Sequence, residues 1–391
     1  MKKKIAILGS TGSIGKTLLN IISKDKKNFE IVLLTANKNY KTLFKQAKEF
    51  KVKNLILTNS NIYKSLKNKN YPFKVNIFNS FDYLNKIFNK KIDYVMSSIV
   101  GVQGLEPTYN IIKFTKNIAI ANKETIICGW NIINKELKKN KTNFIPVDSE
   151  HFSLWYGMQN LNYEHIEKIY LTASGGPFYN TPFHKLKNVT IKNATKHPNW
   201  KMGKKISIDS ATLINKVYEV IEAKNIFNLP YEKIEILTHP KSYVHSLIKF
   251  KNGMIKIVAH DTTMKIPIFN TLNSNNYKIK SEKINLNLLN NLNFQKINSK
   301  RFPMIKLLKL LTNNHSLYET IIVSANDTLV ELFLEKKIKF IDIQKKLFKI
   351  IKTKDFLLYR KKIPKSIEEI LKINNYVRLK ILKKVYKSSN V

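Results

Sequence analysis

Ile5-Ala6-Ile7-Leu8-Gly9-Ser10-Thr11-Gly12-Ser13-Ile14-Gly15 is the stretch on which the reading of the whole chain turns. Four consecutive apolar residues form a short strand of the buried type. Glycines at every third position follow, and residues 16–22 then have helical character. Strand, glycine-rich turn and helix, in that order, make a phosphate cradle. The glycines let the backbone approach a pyrophosphate, and the first helical turn supplies N–H donors. The spacing is G-x-x-G-x-x-G rather than the commoner G-x-G-x-x-G, and a plain tight turn is the alternative. Met1-Lys2-Lys3-Lys4 before the apolar run imitates a signal peptide. The apolar core is too short and breaks at Gly9, so a first strand is expected instead.

Working outward, a second strand at 31–34 leads into Thr35-Ala36-Asn37-Lys38-Asn39. An NAD site usually places an acid here to hold the ribose 2′-OH. This chain has none and offers Lys38 between two asparagines, which suits a 2′-phosphate, so NADPH is expected over NADH. One surface lysine among many is the plainer alternative. Further strands are expected at 54–57, 94–100 and 117–120. Gly101-Val102-Gln103-Gly104 forms a second glycine loop, and Ala121-Asn122-Lys123-Glu124 closes the later strand. Alternating strands and helices imply an α/β, doubly wound, Rossmann-like parallel sheet with ligands at the carboxyl ends of its strands. Thr11, Asn37, Asn122 and Asp148 all fall at or just after such ends.

Pro146-Val147-Asp148-Ser149-Glu150-His151 follows the apolar pair Phe144-Ile145. If the backbone is extended there, Asp148 and Glu150 project to the same side. Two carboxylates that close repel unless a cation or proton sits between them. Hard oxygen ligands suit Mg²⁺ or Mn²⁺ far better than Zn²⁺. An isolated D-x-E is usually a solvated turn, but acid is scarce in this chain: 27 Asp+Glu against 69 Lys+Arg.

The middle third adds polar groups. A strand at 169–172 runs into Ala173-Ser174-Gly175-Gly176-Pro177-Phe178, where a hydroxyl and unhindered N–H groups can meet an anion. His197-Pro198-Asn199-Trp200-Lys201-Met202-Gly203-Lys204-Lys205 is a basic, glycine-containing loop of the kind that folds over a ligand as a lid. Ser207-Ile208-Asp209-Ser210 precedes a helix expected over 211–223, with Asp209 or Ser210 as its N-cap. Leu213, Val217, Val220 and Ile221 form the apolar face of that helix. Thr212, Asn215, Lys216 and Glu219 fall opposite, either as a phosphate-plus-metal surface or as an ordinary solvated face. Glu219 as a third oxygen ligand is suggested by chemistry, since spacing cannot show it.

Composition bounds the rest. The 391 residues are 43% apolar, enough for two or three domains with real cores. The formal net charge of +42 raises nucleic-acid binding as a function. Lysine is spread along the whole chain, however, in the manner of AT-rich coding drift, and that function would leave the acidic residues unexplained. A positive field also helps draw in a phosphorylated substrate. Cys128 is the sole cysteine. Disulfide frameworks and cysteine metal sites are thereby excluded, and a reducing, cytoplasmic compartment and a small buried role for Cys128 are expected. No apolar stretch is long enough to span a membrane.

Taken together, the segments 9–15, 121–124, 146–151, 174–178, 197–203 and 205–223 resemble the 1-deoxy-D-xylulose 5-phosphate reductoisomerase family, in order and spacing, through at least residue 330. The resemblance implies NADPH-dependent isomerisation and reduction of 1-deoxy-D-xylulose 5-phosphate to 2-C-methyl-D-erythritol 4-phosphate, in the non-mevalonate isoprenoid pathway. It implies Asp148, Glu150 and Glu219 as ligands of Mg²⁺ or Mn²⁺, with retro-aldol cleavage and re-addition before hydride transfer. It carries Ser174, Ser210, Asn215 and Lys216 to the phosphate, and Lys123, Ser149 and His197 to the rest of the substrate. Trp200 matches the lid tryptophan. Thr11, Gly12, Ser13, Ile14, Asn37, Lys38, Asn39, Asn122, Glu124 and Gly203 match the NADPH site. The chain departs from the family at Val217 and Asn37, where glycine is usual, and over residues 260–267, which keep only part of a Pro-Asp-Met-Arg-Thr-Pro pattern.

The expected architecture is an NADPH-binding domain over 1–147, a central α+β catalytic domain with the lid over 148–274, a linker over 275–300 and a C-terminal helical bundle over 301–391. His239 and His245 are read as sheet-packing residues near a homodimer interface. Another NADPH-dependent reductase of a phosphorylated substrate is the second reading, and a basic nucleic-acid-binding protein the third.

Overall fold

Ile5, Ala6, Ile7 and Leu8 are wholly buried in β1 (Lys3–Leu8), as suits a strand covered on both faces by helices. The computed structural model describes residues 1–67, 69, 71, 73–200, 202–272, 278–279 and 281–387. Lys201 of the expected lid, 275–277 and 280 of the expected linker, and 388–391 of the tail lie outside the described residues. After β1 come α1 (Ser13–Ser23), β2 (Phe29–Ala36), α2 (Tyr40–Phe50), β3 (Asn54–Leu57), α3 (Ser60–Leu66), β4 (Asn76–Phe78), α4 (Leu84–Ile87) and β5 (Ile92–Ser97). Next are α5 (Leu105–Ile111), β6 (Thr115–Ile120), α6 (Lys123–Lys139), β7 (Asn143–Pro146), α7 (Ser149–Gly157), β8 (Ile166–Ala173), α8 (Ile191–Ala194), α9 (Lys204–Thr212) and α10 (Ile214–Phe227). The chain ends through β9 (Ile234–Thr238), β10 (Val244–Phe250), β11 (Ile255–Ala259), α11 (Lys265–Thr271), α12 (Leu286–Asn290), β12 (Gln295–Lys296), α13 (Leu317–Leu334), α14 (Phe340–Ile351), α15 (Lys354–Leu357) and α16 (Ile367–Lys387).

These elements form two compact units. The first comprises Met1–Thr125, Ile132–Phe152 and Met264–Lys280, and the second Ile126–Asn131, Ser153–Thr263 and Ser281–Val391. In the first, seven strands lie in the order β4-β3-β2-β1-β5-β6-β7, every pair parallel. The order reverses between β1 and β5, which is where an open α/β sheet binds its ligand. Residues 264–280 belong to this unit although they follow the second unit's strands in sequence. Tyr94 and Thr271 share a hydrogen bond of 2.7 Å, and the Lys3 ammonium donates to the Leu272 carbonyl at 3.0 Å.

The second unit contains a mixed sheet in the order β11-β10-β8-β9-β12. β8 pairs parallel with β9 and antiparallel with β10. Its core joins Ile169 and Leu171 of β8 to Val220, Ala223 and Phe227 of α10. The C-terminal helices gather on α13, which contacts α14 and α16. α13 starts with a capping box between Ser316 and Glu319, which settles two of the donors that open a helix. Among the described residues no helix is long and apolar enough to cross a membrane. Cys128 is buried.

Three local expectations fail. Asp148 and Glu150 are not on an extended strand: α7 begins at Ser149, and the Phe152 N–H closes its first turn on the Asp148 carbonyl at 2.7 Å. The helix expected from 211 begins at Lys204, and Leu213 splits it into α9 and α10 by adopting a left-handed φ of 63°. Asp209 therefore lies buried inside α9 and caps nothing. Strands β4, β11 and β12 were not foreseen. β4 has three residues and β12 two, so pairing rather than local pattern defines both.

Candidate active site

The glycine-rich loop expected to take the nucleotide is built by backbone. Gly9 leaves β1 at a φ of +80°, and a Cβ there would come 2.9 Å from the Ser98 carbonyl oxygen. Gly15 sits so close to the preceding turn that a Cβ would be 2.5 Å from the Ser10 Cα. The turn is braced from behind. The Gly9 N–H donates to the Thr35 hydroxyl at 2.9 Å, the Ser10 hydroxyl to Gln46 at 2.8 Å, and the Gln46 amide to the Ser10 carbonyl at 3.0 Å. Gly12 occupies the N-cap of α1 with no side-chain cap. The Gly12 N–H donates to the Gly9 carbonyl at 3.1 Å, Thr11 lies just before this cap, and the N–H groups of Ser13 and Ile14 stand in the opening turn of α1.

At the end of β2, Asn37 donates to Thr58 at 2.8 Å, Asn39 caps α2 by accepting the Thr42 N–H at 3.3 Å, and Lys38 is exposed between them. Asn122 caps α6: it accepts the Thr125 N–H at 2.7 Å and donates to the carbonyls of Ile99 and of Gly101, the latter at 2.8 Å. A Cβ on Gly104 would lie 2.4 Å from that amide, so the second glycine loop exists to admit Asn122. Lys123 and Glu124 follow in the first turn of α6, both buried.

The acids stand at the carboxyl end of β7, which pairs with β6 through Ile120 and Pro146. Lys123 of α6 forms an ion pair with Asp148. Asp148 also accepts the Glu150 N–H at 3.4 Å and has the buried His151 Nδ1 3.7 Å away. The Ser149 hydroxyl donates to the Glu150 carboxylate. The first unit therefore gathers two carboxylates, an ammonium and a hydroxyl beside Asn122 and Glu124.

The second unit gathers the other expected residues. Ser174 follows β8, and Gly175 and Gly176 turn the chain at φ values of 82° and 68°. The Gly176 N–H donates to the Ser174 hydroxyl oxygen at 3.1 Å, and His197 Nε2 lies 3.0 Å from the same oxygen. His197 Nδ1 accepts the N–H groups of Asn199 at 3.2 Å and Trp200 at 3.0 Å. That fixes the tautomer: the proton is on Nε2 and is donated to Ser174. Burial holds the imidazole neutral by lowering its pKa to about 4. With both lone pairs of Ser174 engaged, its own O–H proton is left to donate to an anion.

Asn199 and Trp200 of the expected lid pack against neighbouring residues of the second unit. The Asn199 amide donates to the Pro240 carbonyl at 2.6 Å and to the Ser242 hydroxyl at 2.9 Å, and the Trp200 ring meets His245 edge-on, 6.0 Å between centroids. His245 stacks on His260 at 3.8 Å, and His239 lies against Phe294, in keeping with the packing role read from the sequence. Gly203 caps α9 in extended backbone. Ser210 is near the end of α9. On α10, Asn215 and Lys216 both donate to the Glu219 carboxylate. Lys216 is 5% exposed and Glu219 2%, which excludes the solvated-face reading of this stripe. Val217 is wholly buried, so its added bulk is packed into the core.

Gln46 and Asn199, which hold the two loops in place, carry no signal that sequence reading could use. Each acts across more than thirty residues, as the Gln46–Ser10 separation of 36 and the Asn199–Pro240 separation of 41 show, and no short motif carries such a pairing.

Comparison with known proteins agrees with this geometry. The family model described as 1-deoxy-D-xylulose 5-phosphate reductoisomerase matches residues 5–129, and models for its C-terminal domains match 144–227 and 261–380. The reductoisomerase of Pelagibacter ubique is 59% identical over 386 residues, covering 97% of this chain and 98% of that one. The solved structure of the Zymomonas mobilis enzyme in complex with NADPH superposes with a TM-score of 0.85 at 31% identity, covering 98% of this chain and 99% of that one. A second reductoisomerase structure, in complex with NADPH, fosmidomycin and magnesium, gives 0.85 at 31% identity and 98% coverage of both chains. Sequence and fold over nearly the whole length thus place this chain in the 1-deoxy-D-xylulose 5-phosphate reductoisomerase family.

Proposed function

We propose that this chain catalyses the NADPH-dependent conversion of 1-deoxy-D-xylulose 5-phosphate to 2-C-methyl-D-erythritol 4-phosphate, with Mg²⁺ or Mn²⁺ as the metal. One observation carries the reading: Asn122, Lys123, Asp148, Ser149 and Glu150 stand at the carboxyl ends of two adjacent parallel strands, in the sheet whose order reverses at a glycine-rich loop. Relatives solved with NADPH and magnesium support the cofactor assignment.

Asp148, Glu150 and Glu219 would hold the metal. The donor set fits: all three are carboxylates, which suit a hard divalent ion, and Asp148 and Glu219 each already hold a lysine ammonium. When bound, the metal supplies Lewis acidity to the substrate's oxygens and NADPH supplies hydride. The chain's own residues bind and orient. Ser174 donates its free hydroxyl proton to the phosphate, oriented by the neutral His197. Ser210, Asn215 and Lys216 complete that cradle, and Lys216 adds positive charge. Lys123 and Ser149 address the carbon skeleton, and Trp200 closes over it. Thr11, Gly12, Ser13 and Ile14 take the pyrophosphate of NADPH, Lys38 its 2′-phosphate with Asn37 and Asn39 beside it, and Asn122, Glu124 and Gly203 contribute to the rest of the cofactor site.

We also propose a homodimer and a cytoplasmic location. Edge strand β11 exposes Ile255 and Ile257, with Met254 just before them, and an apolar open edge of this kind calls for a partner strand. A single buried cysteine suits a reducing compartment. The test of the activity is NADPH oxidation requiring both 1-deoxy-D-xylulose 5-phosphate and Mg²⁺ or Mn²⁺. Absence of turnover by the folded protein with that combination rejects it. Sedimentation as a monomer at micromolar concentration would reject the dimer.

A further inference from the structure

A second polar cluster lies behind the phosphate cradle, inside the second unit. Asp209 of α9 is 2% exposed, and each of its carboxylate oxygens has its own donor. One accepts from the Asn326 amide at 2.8 Å and the other lies 3.1 Å from the Lys205 ammonium. Lys205 also reaches Asp327 at 3.0 Å, and its ammonium is 5.9 Å from the centre of the Tyr218 ring. Asn326 and Asp327 are on α13 and Tyr218 is on α10, so the cluster ties three helices together. Asn326 is wholly buried.

A buried carboxylate is costly unless fully paired, and an apolar side chain would hold the helices together as well. What this network adds is direction. Asp209 immediately precedes Ser210, and a Cβ on Gly176 would lie 2.8 Å from the Ser210 carbonyl oxygen. The Ser174–Gly176 turn therefore rests on the backbone that Asp209 anchors. Three residues later Leu213 takes its left-handed φ of 63°, and α10 restarts with Asn215 and Lys216. We propose that Asp209, gripped by Asn326 and Lys205, is a positioning residue for substrate phosphate: it sets the C-terminal end of α9 so that Ser210, the Ser174–Gly176 turn and the start of α10 face one anion together. The C-terminal helix α13 thereby tunes phosphate recognition without touching the ligand. This rests on the reading of Ser174, Ser210, Asn215 and Lys216 as the phosphate cradle.

The test is a pair of substitutions and their combination, assayed in the full-length protein. Asn326→Asp removes the donor and places a second carboxylate against Asp209. It should raise KM for 1-deoxy-D-xylulose 5-phosphate by about tenfold, with kcat within about threefold of the parent. Inorganic phosphate should weaken as a competitive inhibitor by the same factor, while NADPH affinity stays unchanged. Adding Asp209→Asn exchanges donor and acceptor and should recover most of the loss. An unchanged KM, a loss shared equally by NADPH, or additive losses in the double variant would each overturn the proposal. If Asn326→Asp does not fold, the double variant alone decides, since it must then fold and bind phosphate near the parental level. Failure of the parental protein to turn over the substrate would instead strike the proposed function.

Discussion

The loop between β1 and α1 and the turn between α9 and α10 are both proposed to receive an anion, but they are made of different material. The first is backbone. Its N–H groups open a helix, Gly12 and Ser13 are exposed, and close packing of Gly15 on Ser10 gives it shape. The second is side chain. Lys216 and Glu219 are buried, Ser174 is held by His197, and Asp209 lies in a buried polar network. A backbone site tolerates changes in side chains but not an added Cβ. A site of buried charges tolerates neither loss nor relocation of a charge, because the partner left behind has no solvent to turn to.

The largest effect is expected at Glu219. Glu219→Gln keeps the shape of the side chain but removes the charge that pairs with Lys216 and that the proposed metal site calls for. Turnover should fall by about a thousandfold or more, while NADPH titrated by fluorescence binds as before. Substantial residual turnover would take Glu219 out of the metal site and narrow the contrast between the two regions.

Gly15→Ala tests the other side. A Cβ at 2.5 Å from the Ser10 Cα meets backbone, which has no rotamer to escape into. Stability in urea should drop by about 2–3 kcal/mol, with NADPH affinity falling more than substrate affinity. A silent substitution would mean that the loop is pliant, and its shape would not then explain nucleotide binding. Lys38→Ala should have a smaller and purely local effect: about a tenfold loss of NADPH affinity relative to NADH with no change in stability. An unchanged ratio would return Lys38 to the many surface lysines.

The same contrast explains what could be read in advance. The glycine loop and each strand of the parallel sheet are short stretches, where local pattern and strand-end logic suffice. β3 was foreseen residue for residue, as Asn54–Leu57. The acids at 148 and 150 were noticed for their rarity, yet their backbone was misjudged, because Asp148 and Ser149 are as well suited to start a helix as to follow a strand. Asp209 was misread for a related reason. Its composition said N-cap, but a lysine one turn earlier and an asparagine 117 residues later engage its side chain. Grouping Ser174, His197, Ser210, Lys216 and Glu219 as one site came from likeness to a family, since no periodicity joins residues so far apart.

His197 yields the smallest and most specific prediction. Burial lowers its pKa to about 4 from the ordinary 6.5. The unfolded chain therefore binds more protons than the folded one between those values. The stability this group contributes is complete above about pH 6.5 and is lost as pH falls toward about 4. The ring is partly open to solvent, so the full shift overstates the effect, and about 1 kcal/mol is expected. Other buried groups titrate nearby. His315 is lowered to about 4 by burial and acts in the same direction, whereas Glu319, raised to about 7 by burial, acts in the opposite one. The useful quantity is therefore the difference between the parent and His197→Gln, in which those contributions cancel. Urea midpoints from pH 7 to pH 4 should show the parent losing about 1 kcal/mol more than the variant. A constant difference would mean that His197 is not held neutral against Ser174, and the hydroxyl proton assigned to the phosphate would lose its support. The backbone-built loop has no buried histidine, so Gly15→Ala should shift the midpoint equally at every pH.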